Sequence, residues 1–257
     1  MIKVLFERWW FLLLLVLVFF LPPLSQIEFT AVDTPAVIKE VLIAPYVYRF
    51  PELFVVSKLI FIGLAVGLAT RPRLFWRPFA TFAALLLLVV AVFQNIADTA
   101  SYGLTVLTGN LLLMLIVAGL WAWEAITPGS QLAAPDMKRQ LVLPLAILAF
   151  WMPVDSVTGS QNLVLAKFLT SESLLTFCML IPILLAVLIL YYPNVNRTLL
   201  RGTAFIGIVF GITNMLTWFV LDRGFLWMGI VHLPLLINSL LGFNLTRPKK
   251  KKKRRAA

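Results

Sequence analysis

Seven polar side chains stand within or beside long apolar runs of this sequence: Gln94, Asn95, Asp98, Asn110, Asn214, Asp222 and His232. Carboxamides donate and accept hydrogen bonds, carboxylates accept them, and an imidazole does either according to its tautomer. Gathered in one place, such groups would bind a small neutral or weakly charged ligand. His232 beside an outer carboxylate would also form an acid–base pair, provided the two came within hydrogen-bond reach. The plainer role of single amides in apolar helices is to join one helix to another, at roughly 0.6–2 kcal/mol per bond. The sharper expectation is that all seven line an outward-facing cavity.

Other chemistries lack their residues. There is one His and one Cys, Cys178, and no His-x-x-x-His or His-Glu-x-x-His spacing, so no zinc or haem site and no intrachain disulfide is expected. No Gly-x-Gly-x-x-Gly, phosphate loop or Gly-x-Ser-x-Gly occurs, and no cofactor is implied. Asp98, Asp155 and Asp222 could share an external cation. Lys58 is the one charge set well inside an apolar run, close enough to its outer end to snorkel there. Proton relays use buried carboxylates, and none is placed at mid-span.

Positioning these groups falls to helices in lipid. The 257 residues are 61% hydrophobic and 13% charged, with a mean hydropathy of +0.96, far from the composition of a water-soluble domain. A hydrocarbon core of about 30 Å needs about 20 apolar residues per helix. Eight segments qualify, at 9–24, 53–70, 76–95, 104–126, 140–156, 173–192, 202–221 and 225–243. They are continuously apolar rather than alternating, as helices are and barrel strands are not. The fold class expected is an all-α integral membrane protein. The first segment reads as an anchor rather than a cleaved signal, because Pro22, Pro23 and Leu24 stand where a small-x-small site would be.

Charge orients the array. Seventeen of the 22 Lys and Arg residues fall on one face, among them Arg71, Arg73, Arg77, Lys138, Arg139, Arg197 and Arg201, against Lys39, Arg49, Lys167 and Arg223 opposite. The positive-inside rule makes the first face cytoplasmic, with both termini there and the plasma membrane as the expected location. Trp9, Trp10, Trp76, Trp121 and Trp123 near inner ends, and Trp151, Trp218 and Trp227 near outer ends, fit interfacial belts.

Shifting the chain on itself by 121 to 131 residues aligns Pro22 with Pro153, Pro72 with Pro193 and Asp98 with Asp222. Residues 1–126 and 140–246 then form two tandem parallel four-helix repeats, joined by a linker at 127–139 and followed by a tail at 247–257. Each repeat has a short amphipathic stretch after its first helix, at Thr34–Leu42 and Leu163–Leu169, suited to lying on the outer leaflet.

In the tail, Lys249, Lys250, Lys251, Lys252, Lys253, Arg254 and Arg255 follow a membrane segment, which points to anionic lipid at about 1 kcal/mol per residue rather than nucleic acid. The leading reading is a non-catalytic protein, either an accessory subunit with a membrane-protein partner or a binder of a small neutral or lipid-like ligand. A permease for an uncharged or weakly charged solute follows it, then an intramembrane enzyme using His232.

The sequons Asn196-Arg197-Thr198 and Asn244-Leu245-Thr246 fall on the basic face. Both should stay unmodified in a glycosylating host, as should an engineered sequon placed farther along the tail. Mobility shifts on glycosidase treatment check this, and a glycan on the tail would invert the orientation.

Overall fold

The computed structural model describes residues 2–156 and 158–247. The seven basic residues of the tail, Lys249 to Arg255, lie outside the described residues. The fold is predominantly helical: α1 Ile2–Leu5, α2 Trp9–Phe19, α3 Thr34–Ile43, α4 Glu52–Thr70, α5 Pro72–Phe93, α6 Thr108–Ile126, α7 Val142–Trp151, α8 Lys167–Thr170, α9 Phe177–Leu190, α10 Arg197–Leu216 and α11 Leu226–Leu245. Among the described residues, five helices are long and apolar enough to cross a membrane, counting the turns contiguous with α10 and α11. A sixth crossing is possible if the bent pair Lys167–Leu175 and Phe177–Leu190, at 96°, is one span.

Two expected spans are shorter than predicted, and prolines explain it. A residue before proline is driven out of helical geometry. α2 therefore ends at Phe19 ahead of Pro22 and Pro23. α7 ends at Trp151, with Met152 at φ 51° before Pro153. The sixth segment breaks at Thr176, where extended backbone precedes α9.

A small antiparallel sheet, absent from the all-helical expectation, closes one end. Its strands β1 Leu24–Ser25, β2 Ile96–Thr99 and β3 Gly103–Val106 run in the order β1-β3-β2. Paired partners include Leu24 with Val106 and Asp98 with Leu104. α3 packs on this sheet through Val37 and Val41; Val41 joins Ala97 and Leu107 in a satellite core. Its apolar face is thus covered by protein, and α3 is not the lipid-lying helix the pattern suggested.

α9 is apolar all round and buried along nearly its whole length, so it forms the centre of the bundle. α10 and α11 approach closely because Gly207 and Gly211 face Ser239 and Leu236. An added Cβ would come within 2.2 Å of Ser239 Oγ and 3.0 Å of Leu236 Cα. Toward the basic end, Trp76, Phe79 and Trp121 fill the core in mutual contact. Trp76 and Trp121 are 3% and 0% exposed, so these two belong to the interior and not to an interfacial belt.

Lys58 departs most from expectation. Rather than snorkelling it is fully buried. Its Nζ donates to Phe150 O at 2.9 Å, Lys167 O at 3.2 Å, Phe168 O at 3.0 Å and Ser171 Oγ at 2.6 Å. It also sits 4.7 Å from the Phe150 ring centroid. Phe150 O lies in the last turn of α7, and Phe168 O and Lys167 O, the latter also accepting from Ser171 N, lie in α8, at ends that carry the negative pole of the helix dipole. A lysine of α4 thereby caps α7 and α8.

The basic end repeats the device. Arg77 donates to Ala125 O at the end of α6, Arg139 to Ile189 O and Tyr192 O at the end of α9, and Arg197 to Thr246 O beyond α11. Arg201, 8% exposed, donates to Phe6 O at 2.8 Å. Glu124 is fully buried and accepts from Trp76 Nε1, Gly129 N, Ser130 N and Asn196 Nδ2 at 2.8–3.1 Å, pinning the linker to the start of α10.

Lys58→Met should lower the unfolding free energy by about 1–3 kcal/mol, because it leaves buried acceptors without their donor. Lys39→Met, whose side chain is 60% exposed, should change it by under about 0.5 kcal/mol. Denaturant unfolding of the purified protein in detergent compares them, and equal effects would mean the cage does not hold the fold.

Candidate functional site

Between residues 1–126 and 140–246, at the end of the bundle that bears the sheet, lies a cavity of about 610 Å³. α3 forms one wall through Thr34, Pro35, Ile38, Lys39, Leu42 and Ile43, while Phe19, Met114, Met179, Phe210 and Met228 reach it from α2, α6, α9, α10 and α11. Four of the chain's seven methionines, Met114, Met152, Met179 and Met228, line it together with its only Cys and only His. Thioethers are polarizable and flexible, which suits a wall that must fit an apolar guest.

Five of the seven polar residues picked out by sequence line this cavity: Gln94, Asn110, Asn214, Asp222 and His232. Asn95 and Asp98 do not. Asn95 is fully buried, its Nδ2 donating to Ala91 O at 2.8 Å and meeting Met114 Sδ at 3.0 Å. Asp98 is on β2, where it accepts from Arg49 Nη2 at 3.1 Å. The same carboxylate takes the Tyr46 hydroxyl bond, which raises that phenol above its ordinary value. Adjacent residues on a strand face opposite sides and a sheet displaces its residues from the helix array, which apolar periodicity does not reveal.

The five lining residues divide by what their polar atoms already do. Asn214 is spent: Nδ2 donates to Phe210 O at 2.8 Å and approaches Cys178 Sγ at 3.5 Å, while Oδ1 accepts from Trp218 Nε1 at 3.0 Å. Asp222 pairs with Lys39 across the mouth at 3.9 Å, and Lys39 stands 5.5 Å from the Phe225 ring centroid. Gln94 accepts at Oε1 from Phe177 N at 2.9 Å, which satisfies a free amide at the start of α9. His232 Nδ1 lies 2.6 Å from Met228 O one turn earlier. Asn110 makes no side-chain hydrogen bond among the described residues.

α10 is distorted where it meets the cavity. Residues Thr217–Leu221 form a π-helical turn, closed by Asp222 N donating to Thr217 O at 2.7 Å. The wider turn carries Thr217, Trp218 and Leu221 on the wall, and such turns recur at functional sites. Asp98, Asp155 and Asp222 are engaged separately, with Arg49, with Thr158 and with Lys39. Among the described residues, no group of three or more His, Cys, Asp or Glu is placed to hold a metal.

Sequence reasoning missed the methionines, Phe19, Phe210, Trp218, Phe225 and Lys39. In a chain that is apolar throughout, an apolar residue facing a cavity has no pattern distinguishing it from one facing lipid. No protein-family model matches the chain, and no curated protein or solved structure resembles it at a significant level.

Cys178 is the only thiol, so its labelling reports on the cavity without a second site. Uncharged methyl methanethiosulfonate should label it about tenfold faster than anionic sulfonatoethyl methanethiosulfonate, which has the same reactive group, because a charge is costly to bring into an apolar wall. Intact mass measures both, and equal rates or no reaction would mean that no apolar cavity reaches the sulfur.

Proposed function

We propose that this chain is a non-catalytic membrane protein that holds a small, neutral, mostly apolar ligand in the cavity between its two halves. The observation that carries this reading is a partly open, mostly apolar space within the 300–1,000 Å³ range of ligand sites, whose charged lining residues pair with each other. Catalysis by His232 is disfavoured because its Nδ1 faces a backbone carbonyl rather than a carboxylate. Passage through the protein is disfavoured by the fully buried Phe79, Leu87, Leu113, Val117 and Trp121, which fill the bundle toward the basic end.

In this reading the chain crosses the plasma membrane eight times, with the basic end and both termini in the cytoplasm. α2 spans about 16 Å as a helix, about half of the core thickness of about 30 Å, so in this reading residues 20–24 complete its crossing and residues 152–155 complete that of α7. Order of elements supports two parallel repeats: a short helix ended by proline, a short outer helix, then three more helices, in each half. Buried α9 and lipid-facing α4, with exposed Leu59, Ile60 and Val66, occupy equivalent places and differ in surroundings. The basic tail would rest on anionic lipid. Asn196 is buried, its amide spent on Glu124, Thr198 N and Leu199 N, so an engineered tail sequon is the cleaner probe of orientation.

Native mass spectrometry of protein released from membranes should show an apolar adduct, reduced severalfold in Thr213→Trp, which adds an indole to the wall. Vesicles containing only this protein should show no solute flux above empty vesicles. Absence of the adduct, or specific flux, would replace the binder with the accessory subunit or the permease respectively.

A further inference from the structure

His232 and Gln94 narrow the ligand class, given the reading of the cavity as a ligand site. A carbonyl only accepts, so His232 Nδ1, 2.6 Å from Met228 O, carries the ring proton, and a neutral imidazole keeps its lone pair on Nε2. Nε2 has no hydrogen-bond partner among the described residues, although His232 is only 6% exposed. Nor is it among the sealed, unpartnered polar atoms of the interior; it opens on the cavity. No protein donor serves this acceptor, so a guest that supplies one gains a hydrogen bond that the fold leaves open.

Gln94 offers the complement. Its Oε1 is taken by Phe177 N, which leaves the amide N–H pair unspent on a residue 8% exposed. Asn110 adds a free carboxamide on the same wall. The only charges on the wall are Lys39 and Asp222, which answer each other at the mouth. The lining therefore presents the His232 acceptor, the amides of Gln94 and Asn110, hydroxyls such as those of Thr34 and Tyr48, and no unpaired charge, in surroundings of methionine and aromatic carbon.

We propose that the cavity takes an uncharged, mostly hydrocarbon alcohol, whose O–H donates to His232 Nε2 in a lining that also carries the amides of Gln94 and Asn110. A carboxylate would find no unpaired cation, and an ether of the same length would leave Nε2 without its proton. The class is a long-chain or polycyclic alcohol such as a membrane holds in solution, and the site distinguishes it from fatty acids by charge and from hydrocarbons by one hydrogen bond.

The test is equilibrium binding of radiolabelled dodecan-1-ol, its methyl ether and dodecanoate to the full chain in lipid nanodiscs, with empty nanodiscs subtracted. Dodecan-1-ol should bind about tenfold more tightly than the ether, the difference expected of one or two net hydrogen bonds, and more tightly than dodecanoate. In His232→Phe the ratio of alcohol to ether should fall to about one, with ether binding retained as evidence that the variant is folded. Should that variant not fold, the three-ligand comparison on the unaltered chain still decides. Equal affinity for alcohol and ether, or tighter binding of dodecanoate, overturns the assignment of an alcohol while leaving an apolar ligand site. No binding of any of the three above empty nanodiscs overturns the ligand site itself.

Discussion

A helix that ends in apolar surroundings leaves its last carbonyl oxygens without water to hydrogen-bond, and the bundle is organised by how that requirement is met. At the ends of α4, α6, α7, α8, α9 and α11 a basic or hydroxyl side chain arrives from another part of the chain. Lys58 of α4 closes α7 and α8; Arg77, Arg139 and Arg197 close α6, α9 and α11. Tyr191 Oη donates to Leu68 O near the end of α4 at 2.8 Å. Each contact stabilises the end it caps and also fixes which helix is its neighbour. In lipid, where hydrophobic burial drives helix association weakly, such polar contacts carry much of the specificity.

The same constraint explains why the interior holds so few free charges. Lys58, Glu124 and Arg201 are buried, yet each is surrounded by the atoms it needs: backbone oxygens for the cations and four N–H donors for the carboxylate. A buried charge without such partners is prohibitive. The Lys58 cage also ties α4 to α7 and α8, with the Phe150 ring tilted against Phe61 and Phe168 at centroid distances of 5.7 and 4.8 Å. The space left at this end of the packed core, with α3 as one wall, is the cavity.

What marks the cavity is unspent hydrogen-bonding capacity that opens on a space. In the packed interior Asn238 Nδ2 joins α11 to α9 through Pro182 O at 3.0 Å, and unpartnered atoms such as Asn238 Oδ1 and Thr203 Oγ1 are sealed in the packing. On the cavity wall, His232 Nε2, the Gln94 amide nitrogen and Asn110 remain available. Polar groups that the fold does not consume, opening on an apolar space, are what a ligand can use.

The sequence by itself determined the solvent, the helical class and the two ends of the molecule. Those follow from composition, uninterrupted apolar runs and clustering of Lys and Arg, all of which are local properties. It also determined where α2 and α7 stop, through Pro22 and Pro153, although reading the apolar run alone carried both helices past those prolines. Five of the seven polar positions could be placed together because helix depth follows from counting residues. Tertiary structure decided the rest. Lys58 could snorkel or be buried with equal covalent ease, and only the convergence of α7 and α8 on it supplied four oxygens. Asp98 left the cavity because residues 96–106 formed a hairpin paired with β1, a partner more than seventy positions earlier. The apolar part of the wall was invisible for a simpler reason. In a chain apolar on every face, whether a methionine meets lipid, core or cavity depends on distant neighbours and not on its own type.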